Sequence, residues 1–293
     1  MWLSLTQTLR KFNPMKIKIL FAAVMLSLAT VNIKAQQITV GTFNIRYDNP
    51  RDTGNLWVNR APIVSNLIRF HGFDVLGIQE ALQNQVDDIS TALPEYAHYG
   101  KGRDDGKDAG EHSVIFYKKD RFKLLKSGDF WLSETPDTPG KGWDATCCNR
   151  ISSWVYLEDL KTKKQFYAFN VHYDHQGIVA RKESSKLMLS KIKEIAGGSP
   201  VLLTGDLNGG RDSEWYQTLA TSGVLTDSFT QVKFPYANNS SANGFRTPRG
   251  KGVIDHIFVT KQFTAKKWGI LTDTYYGKFP SDHFPVLAEV ELR

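Results

Sequence analysis

Short stretches in six places share one pattern, an apolar run leading to residues able to hold a metal or a phosphate: Thr42-Phe43-Asn44, Gly77-Ile78-Gln79-Glu80, Asn170-Val171-His172, Gly205-Asp206-Leu207-Asn208, Ile254-Asp255-His256 and Ser281-Asp282-His283. A single carboxylate at the end of a strand is ordinarily a solvated turn residue. Recurrence in one chain points elsewhere, because the strands of a sheet deliver their ends to a common edge. Carboxylate and amide oxygens are hard ligands that suit Mg²⁺ or Mn²⁺ rather than zinc. Histidines add groups that move protons or donate hydrogen bonds at neutral pH. Together these types suit hydrolysis of a phosphoester: a cation neutralises the phosphate, an acid activates water, and a histidine stabilises the charge that develops.

The set resembles the endonuclease/exonuclease/phosphatase superfamily, in order over residues 38–291. Its most specific pieces are Gln79-Glu80, Gly205-Asp206-Leu207-Asn208 and Ser281-Asp282-His283. The resemblance implies an α/β fold of two packed β-sheets flanked by helices, a four-layer sandwich with the site at one edge. It implies Glu80 as the principal metal ligand with Asn44 beside it, and Asp282 as a ligand or a support for a histidine. Asp206 would orient or deprotonate the attacking water, and Asn208 would hold a phosphate oxygen or the metal. His172 and His283 would contact the scissile phosphate, with Asp255 as the acidic partner of His172. Arg150 stands where relatives place a phosphate-contacting arginine, whose fork of donors suits that anion. Arg46, just past Asn44, and Arg181, opening a helix after Tyr173-Asp174-His175, are further candidates for the substrate phosphate. Mg²⁺ or Mn²⁺ is the implied cofactor, one ion or two. The implied substrate is a phosphoester, either nucleic acid or a small phosphorylated sugar or lipid head group. A binding module that kept the fold without the chemistry would have replaced Glu80, Asp206 or His283, and all three are present.

These residues need a frame. Residues 38–45, 75–79, 113–117, 152–158, 166–172, 201–204, 253–260 and 286–291 are short, β-branched or aromatic, and bounded by Gly, Pro, Asp or Asn, so they are predicted as strands. Ile63, Leu67 and Phe70, and Met188, Ile192 and Ile195, share the faces of two predicted amphipathic helices. Residues 100–110, 135–142 and 237–252 read as loops. No repeat or linker divides residues 36–293, which are read as one catalytic domain.

Residues 1–35 read as a leader: a basic start at Met15-Lys16-Ile17-Lys18, an apolar run to Ala29 and a polar stretch to Ala35. The expected destination is the periplasm or the outside of the cell. That run is shorter than the ~20 residues of a membrane span. The whole chain carries a formal charge of +7, and the remainder without Arg10, Lys11, Lys16, Lys18 and Lys34 carries +2. Near-neutrality argues against long-range attraction to a nucleic-acid backbone. Cys147 and Cys148 are adjacent, where disulfide geometry is unfavourable, and lack the spaced partners of a zinc site; they read as a pair without chemistry. Strand alternation makes His256 structural. Of the tryptophans, Trp57 or Trp143 is expected to reach the cleft and the rest to pack.

Overall fold

The computed structural model describes residues 36–237, 239–246 and 252–293. The leader expected over residues 1–35 lies outside them. The unit from Gln36 to Arg293 begins with β1 (Gln36–Asn44), α1 (Trp57–His71), β2 (Val75–Ala81), α2 (Gln83–Ala92), β3 (Tyr96–Tyr99), β4 (His112–Lys118) and β5 (Phe122–Trp131). It continues with β6 (Ile151–Asp159), β7 (Gln165–His172), α3 (Ile178–Ala196), β8 (Val201–Asp206), α4 (Glu214–Ala220), β9 (Thr226–Asp227), α5 (Ser228–Gln231), β10 (Asp255–Val259), β11 (Phe263–Ile270) and β12 (Val286–Leu292).

The strands form two six-stranded sheets, ordered β11-β12-β1-β2-β4-β3 and β5-β6-β7-β8-β10-β9. Each sheet holds one parallel pair, β1 with β2 and β7 with β8, joined by a helical crossover through α1 or α3. The remaining pairs are antiparallel. Helices flank the sheets, as the resemblance implied.

Every strand predicted from the sequence is present. The strands it missed are β3, β5, β9 and β11, which are the four sheet edges. Edge strands are blunted by lysine and glycine or by shortness: β5 and β11 carry both residues, while β3 and β9 are only 4 and 2 residues long. Phe122–Trp131 reads FKLLKSGDFW and Phe263–Ile270 reads FTAKKWGI, so neither shows the apolar pattern of an interior strand.

One core cluster draws on both sheets, joining Val40, Ile115 and Val290 of the first to Val155, Phe166 and Ile257 of the second. A polar pillar crosses the same layer. Asn170 of β7 donates to the carbonyls of Ile78 and Val114, and its Oδ1 accepts from Gln79 Nε2 at 2.7 Å. Gly77 makes room for this contact, since a Cβ there would stand 2.1 Å from Thr204 Oγ1 and 2.5 Å from Asn170 Oδ1.

The α1 face differs from the expected one. Trp57, Val64, Leu67 and Ile68 are buried, whereas Phe70 is 83% exposed. Position 70 lies about 60° past Leu67 on the helix, away from the stripe centred on Val64 and Ile68. Trp57 packs under Arg60 and donates to Asp88, so it is not a cleft residue. In α3, Met188 and Ile192 are buried as predicted, with Ile195 half-buried.

Candidate active site

Parallel pairing puts the carboxyl ends of β1 and β2 side by side, and likewise those of β7 and β8. Asn44 joins the two sheets at this edge, donating through Nδ2 to Glu80 Oε1 at 2.9 Å and to Asp206 Oδ2 at 3.1 Å. In the second sheet Asp206 is in register with His172 on one side and Asp255 on the other. Paired residues project from the same face, so these three stand in a row. In the first sheet a bulge interrupts the β2–β4 register between Ile78 and Ala81. Glu80 falls within it with φ of 64° and turns out of the strand. Arg46 and Asn208 share the left-handed conformation, at φ of 59° and 48°. Non-glycine residues in that region are strained, and such strain gathers at functional sites.

The two histidines have different surroundings. His283 Nδ1 lies 2.9 Å from Asp255 Oδ2, and its Nε2 lies 3.9 Å from Asp206 Oδ2. Burial opposes its charge, but Asp255, Asp206 and Asp282 outweigh that and hold its pKa well above the usual value. For His172, burial together with Arg150 and Arg103 holds the pKa well below it. The neutral ring accepts the Asn208 amide on Nε2 at 3.2 Å, which leaves the proton on Nδ1, 3.9 Å from Glu111 Oε2. Burial and then Asp255 push the Asp206 carboxyl up to about 7.

A cavity of about 550 Å³ opens over these groups, lined by Glu80, Asp206, His172 and His283 together with Arg103, Arg150 and His175. Arg150 is 5% exposed. Its Nη2 donates to His175 Nδ1 at 2.8 Å and its Nε faces Asp174 Oδ2 at 3.5 Å, while the buried Nη1 has no hydrogen-bond partner among the described residues.

A family model described as the Endonuclease/Exonuclease/phosphatase family matches residues 41–283. The chain belongs to this family. Among solved structures, it is similar to an endonuclease/exonuclease/phosphatase family protein from Bacteroides thetaiotaomicron, at 42% identity and a TM-score of 0.86 over 89% of this chain and 99% of that one. A mannosyl-6-phosphatase from the same organism is similar at 43% identity and a TM-score of 0.84, over 86% of this chain and 99% of the other. A family protein from Bacteroides vulgatus is similar at 42% identity and a TM-score of 0.84, over 88% and 100%.

Several site residues of this endonuclease/exonuclease/phosphatase domain differ from expectation. Asp255 partners His283 and not His172, because Asp206 stands between Asp255 and His172 in the register. Asn44 brackets two carboxylates through its amide N–H groups, and its oxygen accepts from the Arg46 amide. Arg46 lines the cavity, but its fork is closed on Asp52, at 2.8 and 3.2 Å. Arg181 does not line the cavity; it donates to the Asp174 carbonyl and lies over the Trp215 ring. His256 is structural as expected, its Nε2 3.0 Å from the Gly209 carbonyl. Cys147 and Cys148 are joined in a disulfide and line the cavity, in place of the pair without chemistry that adjacency suggested.

Glu111, Arg103 and His175 were missed. Arg103 forks onto Glu111 at 2.7 and 2.8 Å, and burial, opposed by Arg103, pushes the Glu111 carboxyl up to about 7. The signal was the reverse of the one sought. Antiparallel β4 begins where β2 ends, so a polar residue just before a strand reaches the same edge.

The donors fit a hard divalent cation. Glu80 and Asp282 flank Arg46, each 3.9 Å from its guanidinium. Burial raises the Asp282 carboxyl and Glu80 adds to that, while His283, Arg46 and Arg60 act the other way. Two carboxylates beside one another are hard oxygen donors of the kind such a cation takes. Asp206, Asp255 and His283 also bring ligand atoms within 4.8 Å of one another; the Asp255–His283 hydrogen bond uses His283 Nδ1 and Asp255 Oδ2, while Asp255 Oδ1 has no hydrogen-bond partner among the described residues.

Proposed function

We propose that the protein is a divalent-metal-dependent phosphomonoesterase acting on a small phosphorylated compound, foremost a phosphorylated sugar. The observation that carries this reading is Arg150, a buried guanidinium that lines the cavity with Arg103 and whose Nη1 has no hydrogen-bond partner among the described residues. A phosphomonoester loses its second proton near pH ~6 and so carries charge that a diester lacks. A buried guanidinium fork matches such a terminal group. Duplex binding would instead need lysine and arginine clustered along a surface. The likeness to a mannosyl-6-phosphatase supports the same choice.

In this reading Asp206 accepts the proton of the attacking water, held in place by Asn44 and by the Asn208 backbone amide at 2.8 Å. His283, kept charged by Asp255, donates to a non-bridging oxygen as negative charge builds there. His172, fixed by Asn208, lines the cavity beside Arg103 and Arg150. Glu80 and Asp282 would hold Mg²⁺ or Mn²⁺, which supplies charge neutralisation and polarisation of the phosphate when bound. Export of the domain through the leader at residues 1–35 remains part of this proposal.

The test is hydrolysis by the purified protein of hexose 6-phosphates, bis-p-nitrophenyl phosphate and plasmid DNA, each with Mg²⁺, Mn²⁺ or EDTA. Metal-dependent release of inorganic phosphate, lost in Glu80→Ala, is expected to dominate. Faster cleavage of DNA would replace this reading with a nuclease.

A further inference from the structure

We infer that the Cys147–Cys148 disulfide is a recognition surface for the leaving group, a compact apolar plate on which the carbon face of a phosphorylated sugar ring packs. This inference rests on the phosphomonoesterase reading and assigns the part of the substrate that the phosphate-binding groups do not touch.

Place comes first. Both cysteines line the cavity with Arg150 and His175, and Cys147 is exposed while Cys148 is half-buried. Apart from Tyr47, the other residues lining the cavity carry charged, imidazole or amide side chains. A ring phosphorylated on an exocyclic carbon, with its phosphate at Arg150 and Asp206, extends past them onto whatever lies alongside. Sulfur is soft and polarisable, and a bonded pair of sulfurs presents it as a rigid surface without hydrogen-bond demands. Against the C–H face of a sugar such a surface gains dispersion contacts, while the hydroxyls stay at the rim in water.

The alternative, a brace for the loop, is weaker on physical grounds. A disulfide stabilises chiefly by closing a loop in the unfolded chain, and its effect grows with the length closed. This one joins neighbours and ties no distant segments together. The loop is already held without it. Asp144 accepts from the Val179 and Ala180 amides at the start of α3, at 3.0 and 2.6 Å. Lys141 Nζ reaches the Thr146 carbonyl at 2.8 Å, Trp143 N donates to Glu134 at 3.0 Å, and Thr146 donates to Gln176. Asn149 Nδ2 donates to the Arg103 carbonyl at 3.3 Å. What remains for the disulfide is the surface it presents.

The experiment compares wild type, wild type treated with reductant, and the double variant Cys147→Ser/Cys148→Ser of the full chain. The substrates are a hexose 6-phosphate and glycerol 3-phosphate, an acyclic monoester with no ring to pack. Thiol titration of the denatured, untreated protein is expected to find none. Loss of the plate is expected to raise KM for the hexose phosphate by about tenfold, the size of a modest apolar contact, with kcat and all glycerol phosphate constants within twofold. Equal losses on both substrates would make the disulfide a brace and overturn the inference, as would free thiols or an unchanged KM for the sugar. Wild type inactive on every phosphomonoester would overturn the phosphomonoesterase reading itself. Sugar phosphatase activity insensitive to the double substitution would remove only the plate.

Discussion

His283 Nδ1 donates to Asp255 Oδ2 across 2.9 Å, and this bond with a buried carboxylate keeps the imidazole charged at neutral pH against the cost of its burial. His172, on the other side of Asp206, is held neutral by burial and two arginines. One ring is therefore a cationic donor and the other an acceptor fixed by Asn208. Sequence alone does not distinguish them.

Asp255→Asn tests that division. The amide keeps the shape but no longer stabilises a charged partner. Steady-state kinetics on a phosphomonoester should show kcat reduced on the order of 100-fold, with KM changed little. A variant with kcat near wild type would mean that the charge on His283 contributes nothing to turnover.

Gly77 carries a prediction about the frame. Gly77→Ala places a methyl 2.1 Å from Thr204 Oγ1, so the sheets must part where Asn170 pins them. Urea unfolding should show a loss of about 1–3 kcal/mol, the range for overpacking a filled core. Gly198→Ala, with nothing within 4 Å of its Cβ, is the control and should change stability by less than about 0.5 kcal/mol. Equal effects at both positions would contradict the pillar.

Much of the site was legible because its residues close strands whose apolar runs stand out: Asn44, Glu80, His172 and Asp206 were found that way. Asp255 was found too, but its partner was misassigned, since the order of β8 and β10 in the sheet decides which histidine it meets. Glu111 and Arg103 were invisible to a search for strand ends because they precede a strand that runs the other way. The edge strands escaped for other reasons: the lysines and glycines of β5 and β11 are devices that keep an edge from pairing, and β3 and β9 are too short to show a pattern. The cysteine pair was discounted on general geometry, and only the fold shows that its loop forms a cavity wall.

Asp227 sets a pH dependence of stability away from the site. Burial acts to raise its carboxyl, but His256, Arg211 and the Phe229 amide outweigh burial and hold it below the usual value. Tyr216 also donates to it, at 2.8 Å. A depressed folded pKa gives stability that is fully present above the unfolded value of about 3.9 and is lost as pH falls through the folded value. Urea midpoints between neutral and acid pH should show wild type above Asp227→Asn by a constant margin, until the gap narrows below about pH 4. A gap that stays constant into acid would show that the carboxylate charge is not what stabilises this junction.

The most direct test of the whole account is the ratio of kcat/KM for a hexose 6-phosphate to that for bis-p-nitrophenyl phosphate, in wild type and in Arg150→Lys. The lysine keeps a positive charge but loses the planar fork of the guanidinium. A wild-type ratio of about 100 or more, falling by at least about tenfold in the variant through loss on the monoester alone, is the expected result. A wild type that prefers the diester, or a ratio that Arg150→Lys leaves unchanged, would contradict the claim that this cavity is built around a terminal phosphate.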